Sequence, residues 1–245
     1  MSDSNSELEL STTTLSALKE FYADRDARQH KFEELKAVAE ADADASVAKE
    51  LSMDAFAEDW GESQFWYSDD TATMLAERLL EGNMDKGRTI AVMSAPSVFV
   101  QLKNLLNKSG KTEGEKPKLW LLEYDKRFEV FPEFVFYDFN EPCELPEKMK
   151  GSVDAMVVDP PFLSEDCQTK AAVTVRWLSR SWGTPTDSKL IVCTGERMKS
   201  LINKLYRPQG IATTDYLPIH SKGLSNEFFC YANFECELWK WKHIT

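Results

Sequence analysis

The strongest chemical signal in the chain is a tetrad, Asp159, Pro160, Pro161 and Phe162, which directly follows an apolar run. Two consecutive prolines fix the backbone φ angle and remove two N–H donors, and a residue before proline is driven out of helical geometry. We therefore expect the Asp159 carboxylate and the Pro160 carbonyl to face a ligand as acceptors, with the Phe162 ring as an apolar wall. A slot of this kind suits an amine.

Further carboxylates follow other apolar runs. Glu123 and Asp125 come at the end of the run LWLL, and Asp138 follows FVFY. In an open α/β sheet, ligands bind beyond the carboxyl ends of the strands. Because a carboxylate can accept two hydrogen bonds from a vicinal diol, Glu123, or Asp125 beside it, is a candidate for ribose hydroxyls, and Asp138 for an adenine amine. A solvated acid at a strand end is the alternative for each.

Two further segments are expected to reach the same pocket. They are the loop SAPS at 94–97 and the polar and aromatic run QFWYS at 64–68. Their candidate cofactor-binding residues are Ser94, Pro96, Gln64, Trp66, Tyr67 and Ser68. For 64–68, an aromatic plug in the core before a helix is the alternative. Near the C-terminal strands, Asn226, Glu227 and Phe228 are candidates for contact with a substrate.

Alternating strands and helices are expected to position these residues. The apolar runs predict strands at 89–93, 119–123, 134–137, 153–158, 190–193, 212–217 and 228–234. Helices are predicted at 97–106, 167–178 and 196–205, and between Ser68 as N-cap and Gly82 as stop. The alternation predicts an α/β fold with a mostly parallel sheet. In that sheet, 89–93 lies in the middle, with 119–123 on one side and the strand before Asp159 on the other. The short last connection favours an antiparallel hairpin.

Composition and charge indicate which kinds of binding partner the protein favours. The 245 residues are 42% hydrophobic and 29% charged, with a net charge of −12. This balance disfavours a protein that coats DNA or RNA and favours a basic partner. Residues 1–59 hold 15 acidic and 6 basic side chains. We expect them to form an acidic, helical or partly disordered arm, and residues 60–245 to form the catalytic domain.

Several classes of protein are not favoured. No apolar run approaches the roughly 20 residues that span a bilayer, and the polar N-terminus resembles neither a secretory signal nor a transit peptide. A cytoplasmic location is therefore expected. The five cysteines include no CxxC pair, and only three histidines occur, so neither a disulfide framework nor a metal site is predicted.

Taken in order, seven segments resemble one small eukaryotic family. They are SQFWYS at 63–68, which follows Trp60, SAPSV at 94–98, EYDKRF at 123–128, FYDFN at 136–140, DPPFLSEDC at 159–167, CTG at 193–195 and NEFFCY at 226–231. The tetrad is similar to that of S-adenosylmethionine-dependent amino-methyltransferases. The whole set resembles the elongation factor 1-alpha lysine methyltransferases, once labelled N6-adenine DNA methyltransferases, and looks closest to the fungal members. The resemblance covers about residues 60–235.

This resemblance implies a seven-stranded class I methyltransferase fold, S-adenosylmethionine as cofactor, and a lysine of elongation factor 1-alpha as acceptor. Residues 159–162 would then be the catalytic tetrad. The glycine-rich loop of the wider class is replaced here by 94–97, as it is in the family resembled. Two alternatives remain: an N6-adenine methyltransferase that acts on DNA or RNA, and a non-catalytic binding module with the same fold.

Overall fold

A computed structural model describes residues 50–56, 64–184, 188–223 and 227–242, and scattered helical positions between 16 and 37. Its centre is a seven-stranded sheet of order β3-β2-β1-β4-β5-β7-β6. The strands are β1 Thr89–Met93, β2 Lys118–Glu123, β3 Phe134–Phe136, β4 Ala155–Val158, β5 Lys189–Gly195, β6 Ala212–Thr213 and β7 Phe228–Ala232. Strands β1 to β5 run parallel, whereas β7 pairs antiparallel with both β5 and β6. This is the predicted class I methyltransferase sheet.

Helices cover both faces of the sheet. They are α1 Asp69–Leu80, α2 Pro96–Lys108, α3 Glu165–Leu178 and α4 Lys199–Leu205. Because side chains alternate along a strand, Ile90 and Val92 of β1 pack in the core with α1 and α2, and Ala91 and Met93 pack on the other face with α3 and α4. Burial on both faces explains why β1 reads as a continuous apolar run.

Local signals set the ends of α1 as predicted. The Ser68 hydroxyl oxygen accepts a hydrogen bond from the Thr71 N–H, and Asp69 and Asp70 lie in the first turn, where the helix dipole favours negative charge. Beyond the last turn, Gly82 takes a φ of +75°, a left-handed conformation that glycine adopts without steric cost. The helix therefore ends at Leu80, just before this glycine.

The predicted arrangement of the central strands is confirmed, and the predicted ends differ at the sheet edge. The strand predicted at 212–217 ends at Thr213, because the next residues turn away: the Asp215 N–H donates to the Lys240 carbonyl. The helix predicted at 196–205 divides into a 3-10 turn, Glu196–Met198, and α4. The last two strands pair as a hairpin, with β7 placed inside, between β5 and β6.

Residues 50–56 pack against the methyltransferase core. Leu51 and Phe56 are buried, and the Phe56 ring stacks on Phe128 with centroids 4.2 Å apart. The Asn104 side chain on α2 accepts from the Leu51 N–H and donates to its carbonyl, both at 2.9 Å. The predicted division at residue 59 falls among residues outside the described part, as does most of 1–49, and it stays a prediction. No helix of the described part is long and apolar enough to span a membrane.

Candidate active site

A cavity of about 760 Å³ lies at the carboxyl ends of the parallel strands. It brings together most of the residues that the sequence singled out. The predicted residues that line it are Gln64, Trp66, Ser94, Glu123, Asp138, Asp159, Pro160, Pro161, Phe162 and Phe228. Its volume is in the range of small-molecule and cofactor sites. The prediction that Glu123 and Asp159 open onto the same side of the sheet is confirmed.

Glu123 ends β2 with its side chain almost fully enclosed; the residue is 6% exposed. Its Oε1 accepts from the N–H groups of Tyr124, at 2.9 Å, and Asp125, at 3.2 Å. Burial raises the pKa of Glu123 to about 7, although these two hydrogen bonds lower it. Neither bond uses Oε2, which leaves that oxygen for a donor in the cavity.

Asp159 follows β4, and its N–H donates to the carbonyl of Met93 on β1. Its Oδ2 accepts from the Tyr67 hydroxyl at 2.5 Å. Burial raises the pKa of Asp159 to about 7; the Tyr67 hydrogen bond lowers it and the charge of Glu123 raises it. The cavity therefore holds two carboxyl groups that titrate near neutral pH, a feature common at functional sites.

The loop after Asp159 is fixed by a residue that the sequence did not single out. Gln168 on α3 is fully buried, and its Nε2 donates to the Phe162 carbonyl at 3.0 Å and to Thr194 Oγ1 at 3.1 Å. The Phe162 ring meets Phe139 edge to face, with centroids 5.7 Å apart, and 38% of Phe162 is exposed. Gln168 thus joins the tetrad to the end of β5.

In the loop after β1, Ser94 adopts the left-handed backbone conformation that glycine usually provides. Its φ of +55° lies in the left-handed region, which a residue other than glycine adopts at a cost of about 1 kcal/mol or more. The Ser94 N–H donates to the Leu122 carbonyl at 2.9 Å, so contact with β2 holds the strained turn. The turn lets the chain pass under the cavity and begin α2 at Pro96.

Five of the predicted site residues are not in the lining of the cavity. They are Tyr67, Ser68, Pro96, Asp125 and Glu227. Tyr67 lies behind Asp159, Ser68 caps α1 and Pro96 begins α2. Asp125 accepts from Arg127 Nε at 2.8 Å and from Gln64 Nε2 at 3.0 Å, so it ties 64–68 to β2. The predicted substrate residue Asn226 lies outside the described residues, and Glu227 is exposed beside β7. Their roles stay predictions.

Other lining residues were missed by the sequence analysis. They include Tyr124, Tyr137, Phe139, Asn140, Arg197 and His220. The ring of His220 lies between those of Tyr67 and Phe228, with both centroids 4.8 Å away. Phe139 and Asn140 belong to the FYDFN segment, which offered a signal. His220 follows a stretch predicted as strand, and its backbone bridge to Tyr67 brings it to the site.

Comparison with known proteins identifies the family. The profile described as "Probable N6-adenine methyltransferase" matches residues 58–236. Protein-lysine N-methyltransferase EFM5 of Saccharomyces cerevisiae is 45% identical over 241 residues, which is 94% of each chain. EEF1A lysine methyltransferase 1 of Mus musculus is 37% identical over 94% of each chain. The chain belongs to the EEF1A lysine methyltransferase family.

Among solved structures, the branched-chain polyamine synthase of Thermus thermophilus aligns with a TM-score of 0.49 at 12% identity, over 74% of this chain and 61% of that one.

The cavity suits S-adenosylmethionine, the methyl donor of this methyltransferase family. Glu123 Oε2 can accept from the ribose hydroxyls, because backbone N–H groups already hold the other oxygen. Beside it, the ring of Tyr124 lies 5.4 Å from that of Phe136 and offers a flat aromatic surface to a base. Asp138 lines the same cavity. The cavity is thus open in this chain although 94–97 contains no glycine.

Proposed function

We propose that this protein transfers methyl groups from S-adenosylmethionine to a lysine of elongation factor 1-alpha. The name of the yeast relative states protein-lysine methylation, and that of the mouse relative states EEF1A as the protein methylated. The observation that carries the proposal is that one cavity contains both Glu123, suited to the cofactor, and the Asp159 tetrad, suited to an amine. Elongation factor 1-alpha would then be the protein partner, and the cytoplasm the place of action.

Methyl transfer requires the lysine amine to be neutral and its lone pair to point at the methyl group. A free lysine has a pKa of about 10.4, so presenting the neutral amine at pH 7 costs about 4 kcal/mol. Asp159 and the Pro160 carbonyl accept the amine hydrogens and direct its lone pair into the cavity, and an enclosed site favours the neutral amine over the ammonium. The cofactor supplies a methyl group on a positively charged sulfur. We assign no dedicated base; water takes the released proton.

An exocyclic adenine amine is the other acceptor to test, because the family profile carries that description. The same tetrad would hold it, and Phe162 would then stack on a flipped base. The net charge of −12 opposes the approach of a nucleic acid backbone. For a lysine, by contrast, a slim alkyl chain needs Phe162 only as a wall.

The experiment that tests this function measures transfer of a radiolabelled methyl group to purified elongation factor 1-alpha, to DNA and to RNA. We expect label on the protein alone. Asp159→Ala should lose turnover by on the order of a hundredfold, with cofactor affinity changed little. Phe162→Ala should have a milder effect, whereas loss of a stacking surface for adenine would cost roughly 1–3 kcal/mol.

A matched control is Asp166→Ala, which removes an exposed carboxylate from the first turn of α3. It should transfer methyl groups at the wild-type rate. Label on DNA or RNA, or wild-type turnover by Asp159→Ala at saturating cofactor, would overturn the proposal.

A further inference from the structure

Tyr67 lies against the predicted catalytic carboxylate from behind. Its hydroxyl donates to Asp159 Oδ2 at 2.5 Å, the short distance typical of a hydrogen bond to a charged acceptor. Tyr67 is 2% exposed and is absent from the lining of the cavity. This hydrogen bond restrains the Asp159 carboxylate through Oδ2 and leaves its second oxygen, Oδ1, to accept a hydrogen bond from the substrate amine.

Tyr67 is itself held in place by contacts of both its backbone and its ring. Its N–H donates to Ser97 Oγ at 3.3 Å, which ties it to the first turn of α2. Its backbone forms a bridge with His220, and the two rings lie 4.8 Å apart. Contacts with α2 and with His220 therefore help to hold the Tyr67 side chain against Asp159.

We propose that Tyr67 is a positioning residue for methyl transfer, which holds Asp159 in the orientation that receives the acceptor amine. The inference rests on the proposed function and deepens it. The sequence predicted Tyr67 as a cofactor-binding residue. The inference instead assigns its hydroxyl to the Asp159 carboxylate. An oriented hydrogen-bond acceptor such as Asp159 lowers the barrier to methyl transfer mainly by its interactions in the transition state.

Several groups lie near Asp159. They are Tyr67 from 64–68, Glu123 at the end of β2 and Cys193 on β5, with His220 on the far side of the Tyr67 ring. Burial and the charge of Glu123 raise the pKa of Asp159 to about 7, and the Tyr67 hydrogen bond lowers it. Loss of the hydroxyl therefore raises this pKa further, and less of Asp159 is ionised at neutral pH.

The test is Tyr67→Phe, measured as kcat and KM between about pH 6.5 and pH 9. We expect kcat to fall, with little change in KM for S-adenosylmethionine. The ratio of wild-type to variant kcat should be largest at the acid end, about tenfold for each unit by which the pKa of Asp159 rises. It should then decline as pH rises and both carboxylates ionise. Titration of the acceptor lysine affects both enzymes equally and cancels in the ratio.

The matched control is Tyr206→Phe, which removes a fully buried hydroxyl that has no hydrogen-bond partner among the described residues and does not line the cavity. Its kcat ratio should be flat across the same pH range. A flat ratio for Tyr67→Phe as well, with an unchanged kcat, would overturn the inference.

A second measurement separates this inference from the proposed function. Carbon-13 NMR titration of the Asp159 carboxyl needs no substrate, and it should show a higher pKa in Tyr67→Phe than in the wild-type protein. If the wild type transfers no methyl to elongation factor 1-alpha but this shift is present, the proposed function fails and the coupling stands. If the wild type is active and the shift is absent, the Tyr67 inference fails.

Discussion

Glu123 and Asp159 are two carboxyl groups of one cavity whose hydrogen-bond partners differ, and we propose a different task for each. Glu123 Oε1 is held by two N–H groups of the chain that follows it, which suits a rigid acceptor. Asp159 is held by a side-chain hydroxyl, which can be removed by a single substitution. The tasks are therefore separable by mutation: the first should appear in cofactor affinity, the second in turnover.

For Glu123 the expected effect depends on pH. Because burial raises its pKa to about 7, the carboxylate that we propose as the acceptor for the ribose hydroxyls is protonated as pH falls through 7. The affinity for S-adenosylmethionine should therefore rise between about pH 6 and pH 8. Glu123→Gln should weaken binding at pH 8 by roughly 1–3 kcal/mol and remove most of this pH dependence, as measured by isothermal titration calorimetry.

The control for this variant is Glu129→Gln, at an exposed acid in the 3-10 turn that follows β2. It should bind like the wild type at every pH. If Glu123→Gln binds the cofactor with wild-type affinity and the wild-type pH profile, the ribose role belongs to another residue.

The sequence was sufficient to predict the site residues that directly follow strands. It was not sufficient to predict residues that support the site through tertiary contacts. Glu123, Asp138 and Asp159 follow apolar runs, so the topology alone places them at one edge of the sheet. Gln168 acts from within a helix, through bonds to Phe162 and Thr194, and no spacing rule reveals such contacts.

At the scale of elements, the central strands were predictable because burial on both faces leaves a continuous apolar run. The sheet edge was not, because pairing there depends on long-range partners: Asp215 donates its N–H to the Lys240 carbonyl, and the strand ends before it. The left-handed turn at Ser94 was equally hidden, since serine gives no sign of a positive φ.

The attachment of 50–56 to α2 gives a prediction at this scale. The Asn104 amide satisfies both backbone groups of Leu51. Asn104→Ala leaves them unpaired in a buried place and should lower the free energy of unfolding by about 1–3 kcal/mol. Chemical denaturation measures the loss. Cofactor affinity should persist, because Asn104 does not line the cavity.

Asn107→Ala is the matched control for this variant. Asn107 lies on the same helix, where its side-chain oxygen accepts from Lys116 Nζ. Its stability should change by less than about 0.5 kcal/mol. An equal loss in both variants would show that Asn104 acts through the helix and not through Leu51.

At the scale of the whole molecule, charge is uneven along the chain. Of the 41 acidic side chains, 15 fall within residues 1–59, where we propose an acidic arm that steers a basic protein partner. Steering acts over a distance and is screened by salt, with a Debye length of about 10 Å at 0.1 M. It should therefore affect encounter with the protein substrate and not binding of the cofactor in an enclosed cavity.

Salt and charge substitution together test this steering. Raising ionic strength from about 0.05 M to about 0.3 M should lower kcat/KM for elongation factor 1-alpha severalfold and leave the cofactor Kd nearly unchanged. Replacing Asp3, Glu7 and Glu9 by their amides should lower kcat/KM at low salt and flatten its salt dependence. The control neutralises three exposed acids that precede β1 and β2, Asp85, Glu113 and Glu115, on the side of the sheet away from the cavity. Equal losses in the two triple variants would assign the steering to net charge and refute a role for the arm.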